Sequence, residues 1–172
     1  MAISLYELSV SSFLQTLGGV DGFLGKGLAH FKEKGIDPNE VVKTRLAADM
    51  LPFQFQVVSI VQHSLGAMRG VKAGLFTPPQ GGPTDYEGLQ KIVAEAREAL
   101  QALTPDEVNA LEGNDMIFQL GERKLPFIVK DFLLTFSLPN FHFHAATAYD
   151  ILRLKGVPLG KRDYLGRMRL KG

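Results

Sequence analysis

The chain contains no cysteine among its 172 residues. Disulfides, thiolate nucleophiles, zinc ribbons and iron–sulfur clusters are therefore excluded, because each of them needs a cysteine sulfur. No apolar run approaches the roughly 18 residues that a membrane-spanning helix needs, and the first residues lack the basic and apolar segments of a secretory signal. We therefore expect a soluble cytoplasmic protein with no membrane partner.

The chain also has no excess of charge of either sign, with 19 Lys and Arg residues against 18 Asp and Glu residues. Such a balance gives no long-range field that would attract nucleic acid. A short basic tail contains Lys161, Arg162, Arg167, Arg169 and Lys171. Surface charges near a terminus are usually solvated, so we expect no nucleic-acid partner. An ion-pair network that docks the tail is expected from Asp150, Arg153, Lys161 and Asp163.

Helical periodicity dominates the pattern of apolar residues. A chain of this length corresponds to about one domain, so we assign residues 1–172 to a single domain. Apolar residues recur at steps of three and four from Tyr6 onward, which predicts a first helix that ends at Gly35. Glycines inside this helix each cost roughly 1 kcal/mol relative to alanine. We expect Gly18 and Gly22 to compensate by allowing close contact between helices.

Three further helices and one hairpin complete the prediction. The second helix runs from about residue 52 to 74, the third follows a capping signal at Thr84, and the last spans roughly residues 128–155 with a kink or break at Pro139. Alternating apolar residues between 115 and 127 predict a small β-hairpin. The expected fold is therefore all-α, a four-helix bundle with a small β-hairpin before the last helix.

The last helix carries two of the four histidines on different faces. At about 100° per residue, Asn140, His144 and Thr147 share one face, whereas His142 falls nearly opposite. Side chains two positions apart converge in a strand and not in a helix. His142 and His144 are therefore not expected to bind one metal ion together.

The second helix carries His63 on a stripe of small and polar residues that includes Gln56 and Ser59. The stripe either faces solvent, or it leaves room around the imidazole for a polar pocket between helices. In the second case His63 and His144 are candidate ligands for a divalent nickel, zinc or manganese ion. Asn140, one turn before His144, stands where a third ligand is expected, but a carboxamide oxygen is a weak ligand for such metals.

The most specific pattern is a set of short motifs that extends from the second helix to the C-terminal end. These motifs are Leu51–Gln56 with Gln62–His63, Leu125–Phe127, Pro139–His144, Thr147–Arg153 and Gly156–Gly166. Together they resemble a bacterial and fungal family of unknown function within the DinB/YfiT-like superfamily. The resemblance covers nearly the whole chain, and the long C-terminal motif is its most specific part.

This resemblance implies a four-helix bundle, often paired into a homodimer, with a metal site between helices. In metal-binding members of the superfamily, one histidine comes from the second helix and two, one turn apart, come from the last. His63 and His144 match the first and last of these positions, and Asn140 replaces the middle one. Relatives include metal-dependent thiol S-transferases and a maleylpyruvate isomerase.

Two functions follow as alternatives. The first is a metal-dependent transferase or isomerase-like enzyme for a small molecule such as a thiol, with the metal held by His63 and His144. The second is a non-catalytic homodimer that binds a ligand or a partner and has lost the metal site. The residues expected to contact the ligand are Gln56, Ser59, Asn140 and Thr147.

Overall fold

The computed structural model describes residues 3–171, which form a mainly helical fold with a three-stranded sheet. The helices are α1 (Leu5–Leu8), α2 (Val10–Lys34), α3 (Asn39–Val42), α4 (Phe53–Val61), α5 (Ala67–Ala73), α6 (Tyr86–Gln101), α7 (Pro105–Asn109), α8 (Val129–Asp131), α9 (Leu138–Leu154) and α10 (Lys161–Leu165). The strands are β1 (Leu75–Phe76), β2 (Asp115–Leu120) and β3 (Arg123–Ile128). The predicted helical character and the hairpin are confirmed. Within residues 3–171 no helix is long and apolar enough to cross a membrane.

Two π-helical segments each join two α-helices into one longer helical rod, the α4 rod of residues 53–73 and the α9 rod of residues 129–154. Gln62–Gly66 joins α4 to α5, and Phe132–Ser137 joins α8 to α9. The chain does not break at Pro139, because α9 begins at Leu138 and runs through the proline. The π-helical segment Phe132–Ser137 lies directly before it, where the proline cannot donate a backbone hydrogen bond to the preceding turn. Single π-helical turns of this kind are frequent at functional sites.

The start of α6 differs from the prediction by one residue. Asp85, and not Thr84, is the N-cap, and its side chain accepts a hydrogen bond of 2.7 Å from the Gly88 N–H. Threonine and aspartate are both good N-caps. Glu87 lies three positions after Thr84, and this capping-box spacing led to the prediction of Thr84 in place of Asp85. The predicted helix ends at Gly35 and Gly74 are confirmed, since both glycines adopt the left-handed conformation with φ of 66° and 74°.

The sheet contains one strand that the sequence pattern did not predict. β1 pairs in parallel with β2, with Leu75 opposite Ile117, and β2 pairs with β3 as the predicted antiparallel hairpin. A strand of two residues is too short to show an alternating pattern. The pairing of β1 with β2 places Phe76 in the core, where it is buried against the helical rods.

The helical rods pack around an aromatic core. α4 packs against α9, and α2 packs against α6 and α10. Phe13 and Phe141 meet edge to face with ring centroids 5.0 Å apart, while Phe53 stacks on Tyr86 at 6.0 Å. The Tyr86 hydroxyl donates a hydrogen bond of 2.9 Å to the Leu24 carbonyl. This core holds α4 and α9, which carry the candidate site, in fixed positions relative to each other.

Close approach to α2 occurs at Gly19 and not at the glycines that the sequence suggested. A Cβ atom at Gly22 would have no neighbour within 4 Å, and one at Gly18 would touch only a side-chain nitrogen of Arg97 at 3.9 Å. A Cβ at Gly19 would overlap the backbone carbonyl oxygen of Tyr164. Gly19 therefore lets the C-terminal segment lie directly on the backbone of α2.

The predicted ion-pair network of the tail is also wrong. Asp163 pairs instead with Lys26 of α2, with 2.6 Å between Nζ and Oδ1. Within residues 3–171, neither Asp150 nor Lys161 forms an ion pair. The partner of Asp163 lies far away in the sequence, on a different helix, and local spacing could not indicate it.

We predict that Gly19→Ala lowers the free energy of unfolding by about 1 to 3 kcal/mol, because a backbone carbonyl cannot move aside cheaply. Gly22→Ala is the matched control on the same helix. It should leave stability unchanged or raise it by up to about 1 kcal/mol, since alanine is the better helix former. Urea denaturation measures both variants, and equal effects at the two positions would contradict this account of Gly19.

Candidate functional site

His63 lies inside the first π-helical segment and is buried, with 8% of its surface exposed. Ser59 and Gln56, one and two turns earlier on the same rod, are buried as well. The interpretation of this stripe as a solvent-facing surface is therefore wrong. The stripe faces α9, because α4 packs against that helix and Gln56 reaches His144 of α9.

Aromatic rings enclose the His63 imidazole. The ring of Phe76 lies 5.4 Å from it, and the ring of Phe136 lies 5.5 Å away in an edge-to-face arrangement. Phe118 and Phe132 pack against these two phenylalanines in turn. No motif in the sequence indicated this enclosure, although the spacing of Phe132 and Phe136 by one helical turn predicts that they share a face.

His144 of α9 faces His63 across the interface between the two rods. The ring centroids are 5.8 Å apart, and the ring planes lie within 16° of parallel. Phe55 covers His144 on another side at 5.8 Å. The structure thus brings together the two histidines that were predicted as metal ligands, and it places both beside aromatic rings.

Gln56 connects α4 to His144 through its side-chain amide. Its Oε1 lies 2.8 Å from Nδ1 of His144, and its Nε2 donates a hydrogen bond of 2.8 Å to the Leu51 carbonyl. Only 2% of the Gln56 surface is exposed, so water does not compete for these hydrogen bonds. Gln56, predicted as a ligand contact, is already hydrogen-bonded to a histidine.

A second hydrogen bond joins the two π-helical segments. The buried Ser137 hydroxyl donates to the His63 backbone carbonyl over 2.8 Å. A π-helical turn shifts the regular pattern of backbone hydrogen bonds, and buried carbonyls need a partner. Ser137 is therefore part of the structural support of the site, and no sequence motif indicated it.

Two buried polar atoms on the α4 rod have no hydrogen-bond partner within residues 3–171. They are Oγ of Ser59 and Nδ1 of His63. Buried polar atoms are nearly always hydrogen-bonded, and an exception in a native protein calls for an explanation. Their position beside the histidine pair makes them candidates for contact with a ligand.

The other two predicted contacts, Asn140 and Thr147, are hydrogen-bonded within their own helical rod. The Asn140 amide donates to the Phe136 carbonyl over 2.7 Å, and the Thr147 hydroxyl donates to the Phe143 carbonyl over 2.8 Å. The carboxamide oxygen of Asn140 makes no hydrogen bond in the described part of the chain. Asn140 thus keeps one atom for a ligand, and Thr147 is mainly committed to the backbone.

His142 points away from the pair, as the helical geometry predicts. Its Nδ1 lies 3.4 Å from the Tyr164 hydroxyl of α10, which also donates to the His142 carbonyl over 3.4 Å. Burial lowers the pKa of His142. This histidine helps to hold the C-terminal segment and takes no part in the candidate site.

Burial keeps both histidines of the pair neutral at pH 7. It lowers the pKa of His63 to about 4, with a smaller contribution from the neighbouring His144. It also lowers the pKa of His144 to about 4. Removing an imidazolium from water is costly, and two such charges at this distance repel each other. Neutral imidazole is the form that binds a metal ion.

The two imidazoles are nitrogen ligands in the neutral form and lie near each other, with ring centroids 5.8 Å apart and ring planes within 16° of parallel. Within residues 3–171, however, no group of three or more His, Cys, Asp and Glu side chains could hold a metal. The described residues therefore offer two imidazoles with no further His, Cys, Asp or Glu ligand beside them.

An open cavity of about 500 Å³ lies elsewhere, against the sheet. Its lining is mostly backbone and apolar side chains of β2 and β3, and Asp115 is its one ionisable residue. The cavity lacks the convergent polar groups that mark a binding site. His63 and His144 are more enclosed than this cavity, and they bring two imidazoles together.

Solved structures show which class of protein has this fold. A DinB family member from Shewanella denitrificans superposes with a TM-score of 0.81 at 25% identity, over 98% of this chain and 95% of that one. A DinB-like protein, YjoA, from Bacillus subtilis superposes with a TM-score of 0.58 at 18% identity, over 92% of this chain and 98% of that one. The fold is therefore DinB-like.

The family model "Domain of unknown function (DUF1993)" matches residues 5–165. The chain belongs to this family, which agrees with the resemblance seen in its motifs. No functionally curated protein matches the chain.

We predict that acid destabilises the protein through the buried histidines. The unfolded chain binds more protons than the folded one between pH 6.5 and pH 4, because the folded pKa of His63 is lowered. Stability is therefore present above pH 6.5 and is lost as the pH falls. His63 alone should reduce the free energy of unfolding by about 2 kcal/mol between pH 7 and pH 5.

The measurement is urea denaturation at the two pH values for the wild type and for His63→Phe. Phenylalanine cannot take up a proton and suits the surrounding rings of Phe76 and Phe136. The variant should show a weaker dependence on pH than the wild type. An equal dependence in both proteins would show that the His63 pKa is not lowered in the folded state.

Proposed function

We propose that this protein binds a small molecule at the pair of His63 and His144 through a divalent nickel, zinc or manganese ion, and acts as a transferase or isomerase-like enzyme. The observation that carries this proposal is the pair itself, a buried His63 and a half-buried His144 that are both neutral and have ring centroids 5.8 Å apart. The unpartnered Nδ1 of His63 supports it further, because a buried nitrogen with a lone pair needs a partner.

A divalent metal at this place would lower the pKa of a bound water or thiol. The two histidines would supply lone pairs without first losing a proton, since burial keeps them neutral. The carboxamide oxygen of Asn140 would orient the ligand by accepting a hydrogen bond. Phe76 and Phe136 would exclude water from one side of the site, which strengthens every electrostatic interaction there.

The direct test is the metal content of the untagged protein after dialysis against each of the three metals. We expect near-stoichiometric metal in the wild type and a loss of at least tenfold in affinity in His63→Ala and in His144→Ala. His142→Ala is the matched control, because it removes an imidazole from the same helix on the opposite face. Elemental analysis by mass spectrometry, with calorimetric titration, measures these changes.

A wild-type protein that takes up none of the three metals would contradict the metal-dependent function. Equal loss of metal in His142→Ala would also contradict it, since that result would indicate a general effect on folding. Circular dichroism of each variant shows whether the fold is intact.

A second function, a non-catalytic bundle that binds a ligand or a partner as a homodimer, is favoured by the ligand count. Within the described residues the pair has no third His, Cys, Asp or Glu neighbour. The amide nitrogen of Asn140 is also bound to its own rod. In this case the unpartnered Ser59 and His63 atoms would hydrogen-bond directly to the ligand.

We further propose that the long helical rods form a four-helix bundle of the DinB type, in one domain of residues 1–172, and that the protein is a cytoplasmic homodimer. Exposed apolar residues on α9 support association, since Phe143 is 57% exposed and Leu154 is 61% exposed. We expect sedimentation equilibrium to give about twice the chain mass of 18.9 kDa. A mass equal to that of one chain would contradict the dimer.

A further inference from the structure

The amide group of Gln56 can take only one orientation. Its nitrogen lies 2.8 Å from the Leu51 carbonyl oxygen, which can accept a hydrogen bond but cannot donate one. With the amide turned around, two carbonyl oxygens would face each other at that distance. The amide NH₂ therefore faces Leu51, and the amide oxygen faces Nδ1 of His144 at 2.8 Å.

This orientation determines which nitrogen of His144 carries the proton. An amide oxygen only accepts hydrogen bonds, so Nδ1 of His144 must donate. A neutral imidazole has a single N–H, which leaves Nε2 with the lone pair. We infer that Gln56 is a positioning residue that holds His144 in the Nδ1–H tautomer and presents Nε2 as the nitrogen that binds the ligand.

The backbone around Leu51, which accepts the hydrogen bond from Gln56, is itself held in place, so the fold determines the orientation of the amide. Pro52, at the start of α4, restricts the backbone of Leu51 before it. The Phe53 N–H donates to the Thr44 carbonyl over 2.8 Å. Because Gln56 is almost fully buried, no water replaces either of its hydrogen bonds.

The tautomer narrows the chemistry of the ligand. A bare Nε2 accepts a metal ion or a donated proton, and it cannot donate to a carboxylate or a carbonyl oxygen. The group that meets His144 is therefore a divalent cation or a proton donor such as a thiol, a hydroxyl or an amine. The inference that Nε2 binds a metal ion rests on the proposed function. The assignment of the proton to Nδ1 does not depend on that function.

The experiment is long-range ¹H–¹⁵N correlation NMR on the metal-free protein at pH 7, which distinguishes the two tautomers. We expect the Nδ1–H form for His144 in the wild type. In Gln56→Leu the acceptor is lost, and His144 should change to the Nε2–H form that histidine prefers in water.

Gln62→Leu is the matched control on the same rod. The Gln62 amide also donates to a backbone carbonyl, that of Thr77 over 2.6 Å, and within the described residues it forms no hydrogen bond to His144. This variant loses the same kind of hydrogen bond and should leave the His144 tautomer unchanged. An Nε2–H tautomer in the wild type, or an unchanged tautomer in Gln56→Leu, would overturn the inference.

Titration with zinc separates this inference from the proposed function. We expect Gln56→Leu to bind zinc about 10 to 100-fold more weakly than the wild type, the usual effect of losing a residue that orients a metal ligand, and Gln62→Leu to bind it normally. If the tautomer changes in Gln56→Leu but none of these proteins binds zinc, nickel or manganese, the role of Gln56 is supported and the metal-dependent function is contradicted. If the wild type binds metal but its His144 has the Nε2–H form, the metal-dependent function is supported and the role of Gln56 is contradicted.

Discussion

The interface between the α4 rod and α9 is the constraint on which the rest of the structure depends. Both surfaces carry polar side chains into a buried region, where each hydrogen-bonding group needs a partner. Two hydrogen bonds meet part of this need, from Ser137 to the His63 carbonyl and between Gln56 and His144, while the Ser59 hydroxyl and Nδ1 of His63 have no partner within residues 3–171. The two hydrogen bonds set how far the two rods slide along each other. The separation of the histidines follows from that position.

The opposite face of α9 is held in a different way. Gly19 allows the backbone of the C-terminal segment to lie directly on α2, and Tyr164 in that segment contacts His142. α9 is therefore held on one side by α4 and on the other by α10. A helix fixed on two sides is a suitable support for a site, because a side chain on a rigid element keeps its geometry without a bound ligand.

Much of the fold could be predicted from the sequence. Apolar periodicity located the long helices, and left-handed glycines ended two of them, at Gly35 and Gly74. Alternation located the hairpin. The close contact at Gly19 could not be predicted, because the sequence shows several similar glycines and only the packing of α10 distinguishes among them. The pairing of Lys26 with Asp163 could not be predicted either, because it too depends on how α10 packs on α2.

The sequence by itself determined the family, the helical class and the two histidines of the candidate site. The helical class follows from apolar residues that repeat with the period of a helix, and the family and the histidines follow from short motifs along the chain. Only the tertiary structure decided that the His63 stripe is buried, that Gln56 orients His144, and that Ser137 supports His63. Each of these joins residues far apart in the chain, and such contacts follow from how the rods pack and not from any local pattern.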